Sequence, residues 1–325
     1  MRITTERVGV RVPATSANLG PGFDALGLAL HLVDDLELEA TTGRVEVTVE
    51  GEGAGDVPAG EDHLVVRALR RGLDHAGAPQ AGVRLHCRNR IPHGRGLGSS
   101  AAATVAGLML ARLLVSEPEA LDDQVLLDLA TEMEGHPDNA APALLGGVVL
   151  SWTDRAGARA ERLDLATPGD RAQRGNGAGQ SGSGTAQEPA IRPVVLLPTA
   201  RLATSTARSL LPETVPHADA AFNAARAALL VHALTSDPSL LLPATEDRLH
   251  QEYRAPGMPQ SVELVRVLRS EGYPAVISGA GPSVLVIDGA GPDLAPLVRR
   301  VVDDPRAWRI ARVGLSSTGA EPVVP

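Results

Sequence analysis

PHGRGLGSSAAATVAGLMLARLL, residues 92–114, is the stretch whose reading decides the fold. Ahead of it, GVRLHCRNR at 82–90 alternates apolar and polar residues in the manner of a half-buried strand, and from Ser99 to Val115 the apolar spacing predicts a helix. A glycine-rich turn that opens straight into a helix leaves the first backbone N–H groups without intrahelical partners. Together with the helix dipole, those groups form an anion site. Gly94, Gly96 and Gly98 let a phosphate approach the backbone, while Ser99 and Ser100 offer hydroxyls to cap the helix or to meet a metal or phosphate oxygen. Arg90, His93 and Arg95 add positive potential beside the turn. Glycines and serines alone would fit a capped helix after a strand equally well.

Working outward, residues 7–12 and 44–50 (RVEVTVE) alternate as strands, and Leu64–Ala76 and Leu121–Glu134 carry helical signals, the latter opened by Asp122 and Asp123. Beyond a Gly/Gln/Ser/Ala tract at 169–190, RPVVLLP (192–198) predicts a buried strand, and Ala218–Leu234 and Pro259–Glu271 predict helices. PAVISGAGPSVLVID then predicts two apolar strands around a Gly-Pro turn, with a closing helix over Pro292–Val302. No fixed-period repeat is present.

The composition narrows the chemistry. The 325 residues are 43% hydrophobic but include only two each of Phe, Tyr and Trp, so the core must be aliphatic. The chain has no lysine: all 30 basic residues are Arg, which excludes a Schiff-base lysine and the Gly-Lys-Ser/Thr phosphate loop. A net charge of −9 argues against a nucleic-acid partner. The lone Cys87, the absence of a secretory pattern after Met1 and the absence of a long uninterrupted apolar run predict a cytoplasmic protein with no membrane partner.

Two further glycine-rich stretches stand out. VPATSANLGPGFDALGLAL, from Val12, crowds glycines and a proline around Asn18, Phe23 and Asp24, and ISGAGPSVLVI turns at Gly279, Gly281 and Pro282. Alone, the first reads as a solvated turn and the second as a hairpin. Together with the 92–102 turn, which has the form Pro-x-x-x-Gly-Leu-Gly-Ser-Ser-Ala-Ala, they resemble the GHMP kinases, the galactokinase, homoserine kinase, mevalonate kinase and phosphomevalonate kinase family. The resemblance runs nearly end to end. VPATSANLGPGFDALGLAL and EGHPDNAAPALLGG are most similar to the branch that acts on homoserine.

The resemblance implies an α+β, two-domain fold. It comprises an N-terminal ATP-binding domain of mixed sheet and helices over 1–165, a flexible insertion at 166–190 and a C-terminal ferredoxin-like α/β sandwich over 191–325. It implies ATP-dependent phosphorylation of the side-chain hydroxyl of L-homoserine, with Mg²⁺, by a homodimer. The ATP contacts would be Pro92, His93, Gly94, Arg95, Gly96, Leu97, Gly98, Ser99, Ser100, Ala101 and Ala102, with His63 near the adenine. Mg²⁺ would sit on Ser100 and a glutamate of TEMEG, where a deletion leaves Glu132 and Glu134 both eligible and Glu132 is favoured.

An amino-acid substrate needs a carboxylate for its ammonium group and arginines for its α-carboxylate. The resemblance assigns these to Asp24, Arg208 and Arg254, with Thr204, Asn18 and Asn139 also contacting substrate, and places Asn139, Asp24 and Arg208 at the chemistry. Where the mevalonate-kinase branch carries an aspartate regarded as general base, this chain has Asn139, whose amide takes no proton at neutral pH. Proximity and charge stabilisation then carry the rate, with Asp138 or His136 as the alternative bases. The rival readings are a mevalonate or sugar kinase of the same fold and an inactive ligand-sensing relative.

Overall fold

Strands form where apolar residues alternate and helices where they recur every three to four positions. The computed structural model describes residues 1–167, 191–289 and 293–324, so nearly all of the 166–190 insertion lies outside the described residues. Ala166, placed in that insertion by the sequence, is buried, and its amide donates to the Leu234 carbonyl at 3.0 Å. The chain forms two units, one of residues 1–17, 24–162 and 316–325, the other of 18–23 and 163–315. The division differs from the expected one at 18–23, 163–165 and 316–325, the last of which contributes a strand to the first unit's sheet.

In the first unit, β1 (Arg7–Ala17) pairs antiparallel with β2 (Leu26–Thr41), with a bulge between Pro13 and Ala14. The other edge of β2 is shared by β4 (Gly82–Asn89) at one end and β5 (Val148–Asp154) at the other. Strand β3 (Glu46–Gly51) runs parallel to β4, connected through helix α1 (Leu64–His75), while β6 (Gly157–Leu163) pairs with β5 and β11 (Glu321–Val323) with β1. Along β2 the pleat buries Leu36 and Leu38 and turns Glu37 and Glu39 outward to Arg88 and Arg84 at 3.1 and 2.9 Å.

Helix α2 (Ser99–Leu114) is apolar nearly all round, as suits a helix enclosed by other elements. It touches α1, α3 (Asp123–Glu134) and α4 (Ala140–Leu145). A Cβ on Gly107 would lie 2.3 Å from the Val65 carbonyl, so only glycine lets α1 come this close.

In the second unit, β7 (Val194–Pro198), β8 (Ala275–Ile277), β9 (Val284–Val286) and β10 (Trp308–Ala311) form an antiparallel sheet in the order β10-β7-β9-β8. Numbered within the unit this is 4-1-3-2. Helix α7 (Pro259–Ser270) precedes β8 and α8 (Ala295–Val301) precedes β10, which completes the ferredoxin-like arrangement. Val194, Leu196, Ile277 and Val284 of the sheet bury against Val262 and Leu268 of α7 in an aliphatic core. Helices α5 (Thr204–Ser209) and α6 (His217–Thr235) fill the connection from β7.

Candidate active site

The turn ahead of α2 is built as its glycines suggest. Gly94, Gly96 and Gly98 all adopt positive φ (65°, 73° and 64°), and Gly98 is the left-handed N-cap from which α2 starts. Pro92 and Leu97 are buried and anchor the turn from below, Ala101 and Ala102 are buried in the first turn of α2, and Ser99 and Ser100 stand at its mouth. Arg90 is engaged by Asp35 at 2.9 Å, while Arg95 faces Glu52 at 3.6 Å. The positive potential expected of these two arginines is thus largely neutralised, and anion recognition rests on the amides and dipole of α2.

Beside the turn lies a cavity of about 260 Å³, lined by His63, His93, Ser99, Ser100, Cys87 and Asp34 among others. His63 is the N-cap residue of α1 and is 5% exposed, with a buried Nδ1 that has no hydrogen-bond partner. Burial, and secondarily His93, holds its imidazole below the usual range, so it is neutral at pH 7. Sequence reasoning missed Asp34. Its buried carboxylate accepts from the backbone amides of Arg90 and Ile91, the residues that lead into the turn, and burial pushes its carboxyl up to about 6. Burial likewise pushes the Cys87 thiol up to about 12, which leaves it an inert member of the cavity floor.

The geometry gives the two glutamates different surroundings. Glu134 Oε1 accepts from the Ser100 hydroxyl at 2.8 Å and from the Thr104 hydroxyl at 2.9 Å. Glu132, the favoured candidate, instead pairs with Arg71 at 2.8 Å on an exposed surface. Residues two apart on a helix point about 200° apart, so only one of the pair can face α2. Two oxygens at the head of α2 suit a hard divalent cation such as Mg²⁺.

On the same unit, Asn139 is the N-cap residue of α4, and its Oδ1 accepts from the Thr15 hydroxyl at 2.8 Å. Asp138 is buried, takes a short hydrogen bond from the His136 ring and lies 3.4 Å from Asn139 Nδ2. Asp24, held at φ 55°, brings a carboxylate oxygen into a cluster with His136 and Asp138, their ligating atoms all within 4.8 Å of one another.

In the second unit, three of the remaining substrate candidates gather around one ring and its neighbouring loop. Arg208, on α5, and Arg254 lie over the Phe23 ring at 5.8 and 5.4 Å. His250 stacks on that ring at 4.9 Å, and its Nε2–H donates to the Gly20 carbonyl, which leaves Nδ1 to accept from Arg254. Arg254 is 1% exposed and also donates to the Gly279 carbonyl at 3.1 Å, the same oxygen that accepts from Asn18 Nδ2 at 2.9 Å. Thr204 opens α5, one turn from Arg208, and is exposed. Phe23 and His250 were not singled out as site residues; the aromatic amid the glycines of the 12–30 stretch was the signal for the former, and the latter had none.

A family model described as the GHMP kinases N terminal domain matches residues 63–147. The homoserine kinase of Streptomyces coelicolor is 52% identical over 314 residues, covering 96% of this chain and 93% of that protein. The homoserine kinase of Clavibacter michiganensis is 52% identical over 285 residues, covering 87% and 83%. Among solved structures, a homoserine kinase from Cytophaga hutchinsonii superposes with a TM-score of 0.76 at 24% identity, covering 98% of each chain.

Proposed function

The chain belongs to the homoserine kinases of the GHMP kinase family, and from that premise we propose how its residues divide the phosphorylation of the L-homoserine side-chain hydroxyl by ATP. The product, O-phospho-L-homoserine, leads to threonine. The observation that carries the division of roles is the meeting of Ser100 and Glu134 at the head of α2, directly after the glycine turn. The amides opening α2 hold the triphosphate, and the cavity lined by His63 takes the adenine. Ser100 and Glu134 hold Mg²⁺, which when bound neutralises charge on the phosphoryl oxygens.

Asn139 positions the acceptor hydroxyl and donates to the reacting oxygens. Its amide takes no proton, and the Asp138 carboxylate is already engaged by His136. The hydroxyl proton therefore leaves onto the transferred phosphoryl group, and the rate rests on alignment and charge stabilisation. Asp24 pairs with the substrate ammonium. Arg208 and Arg254 take the α-carboxylate, assisted by Asn18 and Thr204; the convergence of both guanidiniums on Phe23 supports this reading. A polyol or isoprenoid acid has no ammonium group for Asp24 to bind, which favours homoserine over mevalonate or a sugar.

No helix among the described residues is long and apolar enough to cross a membrane. A cytoplasmic homodimer remains part of the proposal, tested by fractionation and sedimentation. The deciding assay is ADP release by purified protein with homoserine, mevalonate and galactose, with and without Mg²⁺. Mg²⁺-dependent turnover of homoserine alone is the expected result, and turnover without Mg²⁺ would strip Ser100 and Glu134 of their role as metal ligands.

A further inference from the structure

We propose that Thr15 is a positioning residue for the reaction: its hydroxyl fixes the orientation of the Asn139 amide and ties it to the phosphate turn. The inference rests on the reading of Asn139 as the residue that positions the acceptor hydroxyl. Thr15 lies on β1 just past the bulge and is 0% exposed, so its hydroxyl must find a partner inside the protein. That partner is Asn139 Oδ1, at 2.8 Å, while the backbone amide of Thr15 donates to the Leu97 carbonyl of the turn at 3.1 Å. A Cβ on Gly98 would lie 1.9 Å from Thr15 Oγ1 and 2.9 Å from Asn139 Oδ1. Turn, threonine and asparagine therefore occupy one contiguous space, with no room for a side chain between them.

The chemistry of the contacts sets which end of the amide faces the reaction. Rotating the Asn139 amide by half a turn would set Oδ1 against the Asp138 carboxylate, acceptor against acceptor, in place of Nδ2 at 3.4 Å. Asp138 itself is held by His136. With Oδ1 taken by Thr15, the amide presents an N–H donor to the reacting oxygens, fixed relative to the backbone that holds the phosphates. A displacement of even 1 Å in such an arrangement costs roughly 100-fold in rate.

The experiment is a double-mutant cycle in the full-length chain, with kcat and both KM values measured for Thr15→Val, Thr15→Ser, Asn139→Ala and Thr15→Val/Asn139→Ala. Thr15→Val should lower kcat about tenfold or more while the KM for ATP stays within about twofold. Thr15→Ser, which keeps the hydroxyl, should restore kcat to within about twofold, and in the Asn139→Ala background the valine should have no further effect on kcat. If Thr15→Val does not fold, Thr15→Ala takes its place in the cycle. An undiminished kcat in Thr15→Val, or full additivity with an Asn139→Ala that does lower kcat, would overturn the inference alone. An Asn139→Ala variant with normal kcat would overturn the reading of Asn139 and the inference with it.

Discussion

Replacing Glu134 by Gln isolates one negative charge at the head of α2. The Gln carbonyl can still accept from the Ser100 and Thr104 hydroxyls, whose distances of 2.8 and 2.9 Å describe ordinary hydrogen bonds, so the contact between α3 and α2 survives. What disappears is the charge available to a divalent cation. Removing one such electrostatic group costs typically about 3–4 kcal/mol of transition-state stabilisation, or on the order of 100- to 1000-fold in kcat. The control is Glu132→Gln, two positions away. Its ion pair with Arg71 joins side chains 59% and 43% exposed, so its loss costs at most about 1 kcal/mol of stability and nothing in rate. Coupled ADP-release kinetics at saturating substrates, repeated over a Mg²⁺ titration, should show a slow Glu134→Gln enzyme with weakened Mg²⁺ dependence beside a normal Glu132→Gln enzyme. A normal rate in Glu134→Gln, or loss confined to Glu132→Gln, would refute the assignment and the helical-phase reasoning behind it.

Three further outcomes concern Asp34 and the two arginines over Phe23. Asp34 has its carboxyl raised by burial to about 6 from 3.8, so between about pH 4 and pH 6 the folded state holds a proton that the unfolded state has released. Stability contributed by the protonated form is complete below pH 4 and is lost as pH rises through 6, by about 3 kcal/mol in all. Asp34→Asn cannot ionise, so its stability relative to wild type should climb by about that amount from pH 4 to pH 7 in urea unfolding; a pH-independent difference would refute the burial argument. Arg208→Leu should raise the homoserine KM about 30-fold or more with little change in kcat, ATP binding or melting temperature. Arg254→Leu should do the same and also destabilise by about 2 kcal/mol, because it strips donors from the Gly279 carbonyl and His250. Unchanged KM in both variants would remove the arginines from the substrate site.

Much of the fold was written locally in the sequence. The 99–115, 121–134, 218–234 and 259–271 helices were legible because apolar spacing, caps and prolines act within a few residues, and they appear within two or three positions of those limits. The Gly-Leu-Gly-Ser-Ser turn was legible because positive φ selects glycine. What stayed hidden depends on long-range partners. β2 was invisible as a sixteen-residue strand because the glycines and proline ahead of it made the stretch read as loop, while its pairing with β1, β4 and β5 decides otherwise. The Glu132 and Glu134 pair could not be separated without the phase of α3 relative to α2. Asp34 drew no notice because a DD dipeptide inside a strand gives no hint that one carboxylate turns inward to meet the amides of Arg90 and Ile91.

The last strand has a consequence for how the chain is made. Strand β11 pairs Gly9 with Val323, Val10 with Pro322 and Arg11 with Glu321, and just before it the Ser316 carbonyl accepts from the Gly147 amide. During synthesis, the edge of β1 emerges first and must wait for some three hundred further residues before its cover is translated. An uncovered, largely apolar strand edge recruits other strands, so the nascent first unit carries an open seam until those residues have been translated. The second unit, whose sheet is drawn entirely from residues 194–311, completes itself inside that interval. The order of closure is thus inverted: the unit begun first is the one sealed last.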